Sequence, residues 1–114
     1  MNFDIMKHSG IKVFRIHSSR ATSAIAPEFR TLLIDEINNH PNETIAVDFS
    51  KVDYIDSSFI GSLVAAYKES TAKNVKIKLF GTQERVESTF ESTKLYTLFE
   101  IYKNFTQLKN KLEE

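Results

Sequence analysis

Asp56-Ser57-Ser58 sets a carboxylate and two hydroxyls side by side where the apolar pattern of the chain changes from strand-like to helical. A short oxygen-bearing side chain there can accept hydrogen bonds from the free N–H groups of a helix's first turn, so all three residues are candidate N-caps. Capping by itself accounts for such a cluster, and the local chemistry alone does not establish a function. Other chemistries find little support. Asp48, Asp53 and Asp56 near strand ends could hold magnesium, but a receiver-like site also needs an acidic pair after the first strand, and only Asp4 is available. His8, His17 and His40 lie far apart, without the spacing of a zinc site. Gly10, Gly61 and Gly81 are the only glycines, which leaves no phosphate-cradling loop and no dinucleotide-binding turn. Ser57 as a hydrolase nucleophile would need a Gly-x-Ser-x-Gly elbow and a late histidine, yet no histidine follows His40. The chain is not expected to be an enzyme, and no cofactor or metal site is expected.

The elements that position the cluster alternate. Two short strands flank Ser9-Gly10, with Val13, Phe14 and Ile16 giving the second its β-branched and aromatic character, which predicts a hairpin. A polar run, Ser18-Ser19-Arg20-Ala21-Thr22-Ser23, reads as a loop. Pro27 then suits a first helical turn, and Ile25, Phe29, Leu32, Leu33 and Ile37 recur at helical spacing until Asn38-Asn39-His40-Pro41 stops the helix. Thr44 to Phe49 is a nearly continuous apolar run, which predicts a central strand covered on both faces. After Val52-Asp53-Tyr54-Ile55 and the Asp56 cluster, Ile60, Leu63, Val64 and Tyr67 share a helical face through Lys68 or Ser70. Asn74 is a left-handed terminator, Val75 to Phe80 reads as a strand, and Gly81 turns the chain. Thr82 is a candidate cap for a helix carrying Val86 and Phe90, Leu95 to Ile101 closes into a short last strand, and Phe105, Leu108 and Leu112 mark a final helix. The class is α/β: a mixed, mostly parallel sheet packed with about four helices, in a single domain over residues 1–114.

Composition narrows the function classes. With 15 basic and 15 acidic residues the formal charge is zero, so no long-range field would gather nucleic acid or an anionic membrane. The absence of cysteine removes disulfides and thiolate chemistry and is compatible with a reducing compartment. No apolar run approaches the roughly 20 residues that cross a bilayer, and the N-terminus lacks a secretory pattern, so a cytoplasmic location without membrane insertion is expected.

The order Val47-Asp48-Phe49-Ser50, then Val52-Asp53-Tyr54-Ile55, then Asp56-Ser57-Ser58-Phe59-Ile60-Gly61-Ser62-Leu63 resembles the STAS family, of the anti-sigma-factor-antagonist type. In that family a strand ending "hydrophobic, Asp, Leu or Phe, Ser" is followed by Asp-Ser-Ser-Gly-Leu-Gly, which opens the second helix. The match falls on Asp48, Asp56, Ser57, Ser58, Gly61 and Leu63, and the stretch Thr93 to Tyr102 resembles the family's closing segment. The resemblance implies a protein-interaction module in transcription regulation whose phosphoacceptor is Ser57, with Ser58 as second choice. The implied partner is an anti-sigma factor that is also a serine kinase of the histidine-kinase-like ATPase type, with a serine phosphatase as a further partner. The unphosphorylated protein would bind the kinase and free the sigma factor, and the phosphorylated form would let go. Asp56 would orient the hydroxyl or serve as a cap.

Two departures from the family pattern matter. Phe59 stands where the family has glycine, and reads either as a core residue four before Leu63 or as an exposed apolar anchor. The loop Ser18 to Thr22 replaces a Gly-x-Leu-Asp-like turn, and its Arg20 is either solvated or directed at a phosphate or an acidic partner surface. Asp56, Ser57, Ser58, Phe59, Ser62 and Arg20 are therefore the expected partner-binding residues. A different reading makes the chain a constitutive scaffold or regulatory subunit of a multiprotein or transporter-associated complex, with Ser57 only a cap.

Overall fold

The computed structural model describes residues 2–114. Strands β1 (Phe3–His8) and β2 (Ile11–Ile16) form the expected hairpin, joined through Ser9 and Gly10, whose φ angles of 52° and 80° give a turn that follows the strand twist. A two-residue strand β3 (Arg20–Ala21) leads to α1 (Ala26–Asn39), with Pro27 in its first turn. Then come β4 (Thr44–Asp48), the short β5 (Tyr54–Ile55) and α2 (Ser57–Ala72). β6 (Lys76–Phe80) and α3 (Glu84–Ser92) follow, and a 3-10 turn at Leu95–Thr97 precedes β7 (Glu100–Tyr102) and α4 (Phe105–Leu112).

The main sheet has five strands in the order β1-β2-β4-β6-β7, antiparallel at the hairpin and parallel elsewhere. The expected central strand is β4, the middle one, and its Ile45, Ala46 and Val47 are fully buried. Side chains alternate between the two faces. Phe14, Ile16, Ile45, Val47, Ile77 and Leu79 meet α1 and α2 in the main core, while Val13, Ala46 and Phe80 pack on Leu108 of α4. Cover on both sides explains why the β4 sequence reads as a continuous apolar run.

Three sequence expectations change. The Ser18–Thr22 run is not all loop, because Arg20 and Ala21 pair in parallel with Tyr54 and Ile55 as a separate two-stranded sheet. Thr82 does not cap α3. Gln83 holds that position without a side-chain cap, and its amide instead donates to the Ser50 carbonyl at 2.9 Å. Phe59, read either as core or as an exposed anchor and grouped with the partner-binding residues, is core: it is fully buried, its ring 4.3 Å from that of Phe29, and it offers no partner surface. Phe29 in turn stands edge-on to Phe14 at 5.5 Å and tilted against Phe3 at 5.7 Å, so one aromatic cluster joins α1, α2 and the hairpin.

Gly81 has a steric task. With φ at 78°, a Cβ there would lie 3.1–3.3 Å from atoms of Ser50, so glycine lets the turn after β6 pass beneath the one after β4. At the β7 edge, Lys78 donates to Glu100 at 2.7 Å and the Tyr102 hydroxyl donates to the same carboxylate. The Lys78 hydrogen bond, with help from Tyr102, holds the Glu100 carboxyl below its usual range, while burial and the Glu100 bond push Tyr102 up to about 12.

The raised Tyr102 value means that the folded chain favours the protonated phenol. Its contribution is complete below the ordinary value of 10.0 and is lost as pH rises toward 12. Ultraviolet titration should show one of the four tyrosines ionising last, and Tyr102→Phe should remove that component; an unchanged curve refutes the network. The aromatic cluster makes a separate prediction. Phe59→Ala should cost about 3–5 kcal/mol in urea unfolding, a loss expected of a core cavity and not of a truncated surface anchor.

Candidate functional site

The site is built where the chain leaves the centre of the sheet. Beyond β4, the Ser50 N–H donates to the Asp48 carboxylate at 2.8 Å and the Val52 N–H to the Phe49 carbonyl at 2.9 Å, which folds the chain back over the strand ends. The Asp53 and Tyr54 N–H groups then both reach the Ser19 carbonyl, at 2.8 and 3.3 Å. This seats β5 against β3 and aims the next residues at the start of α2.

Asp56 is the N-cap of α2, with extended backbone at φ −107° and ψ 175°. One carboxylate oxygen accepts the Phe59 N–H at 2.9 Å, the usual capping bond. The other accepts the Ser23 N–H at 2.9 Å, and the Asp56 N–H itself donates to the Ala21 carbonyl at 3.1 Å. Each oxygen accepts one backbone N–H, and of the two roles open to Asp56, orienting the hydroxyl or capping, the capping role is the one seen here.

Ser57 and Ser58 are the first two residues of the helix, and both are exposed. Among the described residues neither hydroxyl has a hydrogen-bond partner. The capping explanation therefore applies to Asp56 and leaves both serines free. Ser57 lies one helical turn from Gly61, where a Cβ would meet nothing within 4 Å, so the surface beside the hydroxyl is low and open.

Ser62, also counted as partner-facing, is buried and turned inward, its hydroxyl donating to the Ala26 carbonyl of α1 at 3.3 Å. Its place five residues after Ser57 carries it round to the α1 side. Arg20 is exposed, and its guanidinium carbon lies 4.4 Å from the centroid of the Tyr54 ring. Arg85 approaches the same ring at 5.3 Å. Sequence reasoning missed Tyr54 and Arg85 as neighbours of Arg20. The signal was too short to read: a two-residue ladder joins segments more than thirty residues apart. Among the described residues no group of three or more His, Asp or Glu could hold a metal ion, and no helix is long and apolar enough to cross a membrane.

Comparison with known proteins agrees with this geometry. Two curated relatives, the anti-sigma-B factor antagonists of Listeria monocytogenes and Listeria innocua, are each 33% identical over 57 residues. The match takes in 50% of this chain and spans about half the length of each relative, 50%. Among solved structures, an anti-sigma-factor antagonist (STAS) domain protein from Planctomyces limnophilus superposes with a TM-score of 0.88 at 12% identity, covering 98% of both chains. An anti-sigma factor antagonist from Mycobacterium paratuberculosis gives 0.84 at 16% identity, covering 98% of this chain and 93% of that one. The Bacillus cell fate determinant SpoIIAA in its phosphorylated form gives 0.70 at 16% identity, covering 96% and 98%. The pattern that defines the STAS domain matches residues 2–108, and with that extent and this fold the chain belongs to the STAS domain family.

Proposed function

We propose that this chain is an anti-sigma factor antagonist, a protein-interaction module switched by phosphorylation of Ser57. The observation that carries the reading is the division of labour at the start of α2, where Asp56 caps the helix and the Ser57 hydroxyl is exposed and uncommitted. The Ser57 hydroxyl makes no hydrogen bond among the described residues that a modification would have to replace. The names of the Listeria relatives, and the existence of a phosphorylated form of a protein with this fold, support the same reading.

The partner is an anti-sigma factor that is also a serine kinase, with a serine phosphatase to reverse the modification, and the complex forms in the cytoplasm. A phosphoserine carries about −1.5 to −2 charges at neutral pH. At the first position of a helix the free N–H groups and the helix dipole offset part of that charge, so the fold survives it. The partner surface is affected differently. A dianion must be desolvated there or set against the partner's own carboxylates, and it stands next to the Asp56 carboxylate besides. Modification then costs binding and leaves the fold intact.

Incubation with the cognate kinase and ATP, followed by intact mass, should add one phosphate to the wild type and none to Ser57→Ala; phosphate at another residue defeats the assignment. Ser57→Asp should weaken kinase binding while melting close to the wild type, and equal affinity of the two proteins argues for the constitutive scaffold. The capping assignment has its own check. Asp56→Ala should lose about 1–2 kcal/mol in urea unfolding, and Ser57→Ala less than about 0.5 kcal/mol. The reverse order would make Ser57 the cap.

A further inference from the structure

Tyr54 stands on β5 with its neighbour Ile55 buried, three residues ahead of Ser57. Two arginines approach its ring from different elements. Arg20 lies directly across the β3–β5 ladder, with its guanidinium carbon 4.4 Å from the centroid, and Arg85 comes from the first turn of α3, at 5.3 Å. The Arg20 backbone is held by Ser18, whose hydroxyl donates to the Arg20 carbonyl at 3.0 Å and accepts the Arg20 N–H at 3.2 Å.

Four of the fifteen Lys and Arg side chains, Lys111 beside Glu114 among them, have a carboxylate partner among the described residues. Lys12 pairs with Glu36 at 3.0 Å, Lys78 with Glu100 at 2.7 Å, and Arg15 lies 3.8 Å from Asp48. Among the described residues Arg20 and Arg85 have none, which they share with the remaining cations; what sets them apart is that both lie against one aromatic ring. Two positive charges brought to one ring with no counter-ion repel each other, and the aromatic face offsets only part of that cost. The ring limits how the two guanidiniums can move and leaves their N–H edges at the surface, where each planar fork matches a carboxylate. The convergence of two exposed guanidiniums on one ring, and not the lack of an ion pair, makes this pair a site for an anion with two carboxylates.

We infer that Arg20, Tyr54 and Arg85 form a clamp for an acidic segment of the protein partner, one that presents two carboxylates beside the Ser57 switch. The clamp rests on the proposed reading to the extent that the partner approaches this end of the molecule. It also supplies an electrostatic route for the switch. A phosphate at Ser57 places negative charge near the incoming carboxylates, repelling them and competing with them for the two guanidiniums.

An acetylated hexaglutamate peptide serves as the probe, titrated into nitrogen-15-labelled chain at low salt and read at the arginine Nε–Hε resonances. The Arg20 and Arg85 resonances should shift together and saturate, and that of Arg30, an exposed arginine of α1 without a ring partner, should not. Arg20→Gln/Arg85→Gln should weaken binding by about tenfold or more, the scale of losing one charge-assisted hydrogen bond. Tyr54→Phe, which keeps the ring, should bind like the wild type, and Tyr54→Leu should bind more weakly. Equal shifts at Arg30, or full affinity in the double glutamine variant, overturn the clamp. So does a response of the two resonances to phosphorylation of Ser57 with none to the peptide, which would assign the arginines to the chain's own phosphate. The titration needs no kinase. Phosphate transfer to Ser57 without a clamp response refutes the clamp alone, and a clamp response without phosphate transfer refutes the switch alone.

Discussion

The two carboxylate oxygens of Asp56 decide how the functional end of the molecule is put together. One closes the first turn of α2 through the Phe59 N–H, and the other holds the Ser23 N–H just before α1. α1 has Ile25 as its N-cap, with no side-chain capping bond, and its entry leans on the Thr22 carbonyl, which accepts the Ile25 and Ala26 N–H groups at 3.0 and 2.9 Å. Asp56 therefore sets the entrance to α1 as well as the start of α2. The packing that follows depends on that alignment: Phe59 lies on Phe29, and the Ser62 hydroxyl meets the Ala26 carbonyl one turn further along. A buried aromatic pair is not directional enough to choose between neighbouring registers of two helices, whereas a carboxylate bonded to two backbone donors is.

Much of the architecture was legible because its periods are long or its punctuation strong. The β4 run, the α1 stripe from Phe29 to Ile37 and the Ser9-Gly10 turn each carry several residues that agree, and each appears where the pattern placed it. The parts that were not legible are short or depend on distant partners. The β3–β5 ladder has two residues on each side, too few to show a period, and its existence follows from the Ser19 carbonyl accepting two N–H groups from a segment far along the chain. Thr82 has the right chemistry for a cap but lies one residue early, because Gln83 is drawn to the Ser50 carbonyl beneath Gly81.

The site was legible in its residue types and illegible in their assignments. Asp56, Ser57 and Ser58 were equivalent candidates for the cap, since all three carry an acceptor at the right place, and only the extended backbone of Asp56 separates them. Phe59 and Ser62 were grouped with the partner surface because they follow the serines in sequence. Helical geometry separates neighbours in sequence, so positions 57, 58 and 61 face outward while 59, 62 and 63 face α1 and the sheet.

That separation bears on the most conspicuous departure from the family pattern. A glycine after the two serines leaves the helix start open, and a phenylalanine there reads as an obstacle to a docking partner. In this fold the ring points away from the hydroxyls and fills the space between α1 and α2, so its bulk strengthens the core and leaves the surface unchanged. Serine, serine and glycine still form the outer face of the first turns. Tyr54, three residues before Ser57 in the chain, carries two exposed arginines on its ring, and they differ from the apolar interior in what they can discriminate. Buried aromatic contacts fix where Ser57 stands but respond little to a charge added at the surface, while unpaired guanidiniums respond to it directly. On the proposed reading, stability rests on the aromatic cluster and recognition on charge, so phosphorylation can change the partner without repacking a core side chain.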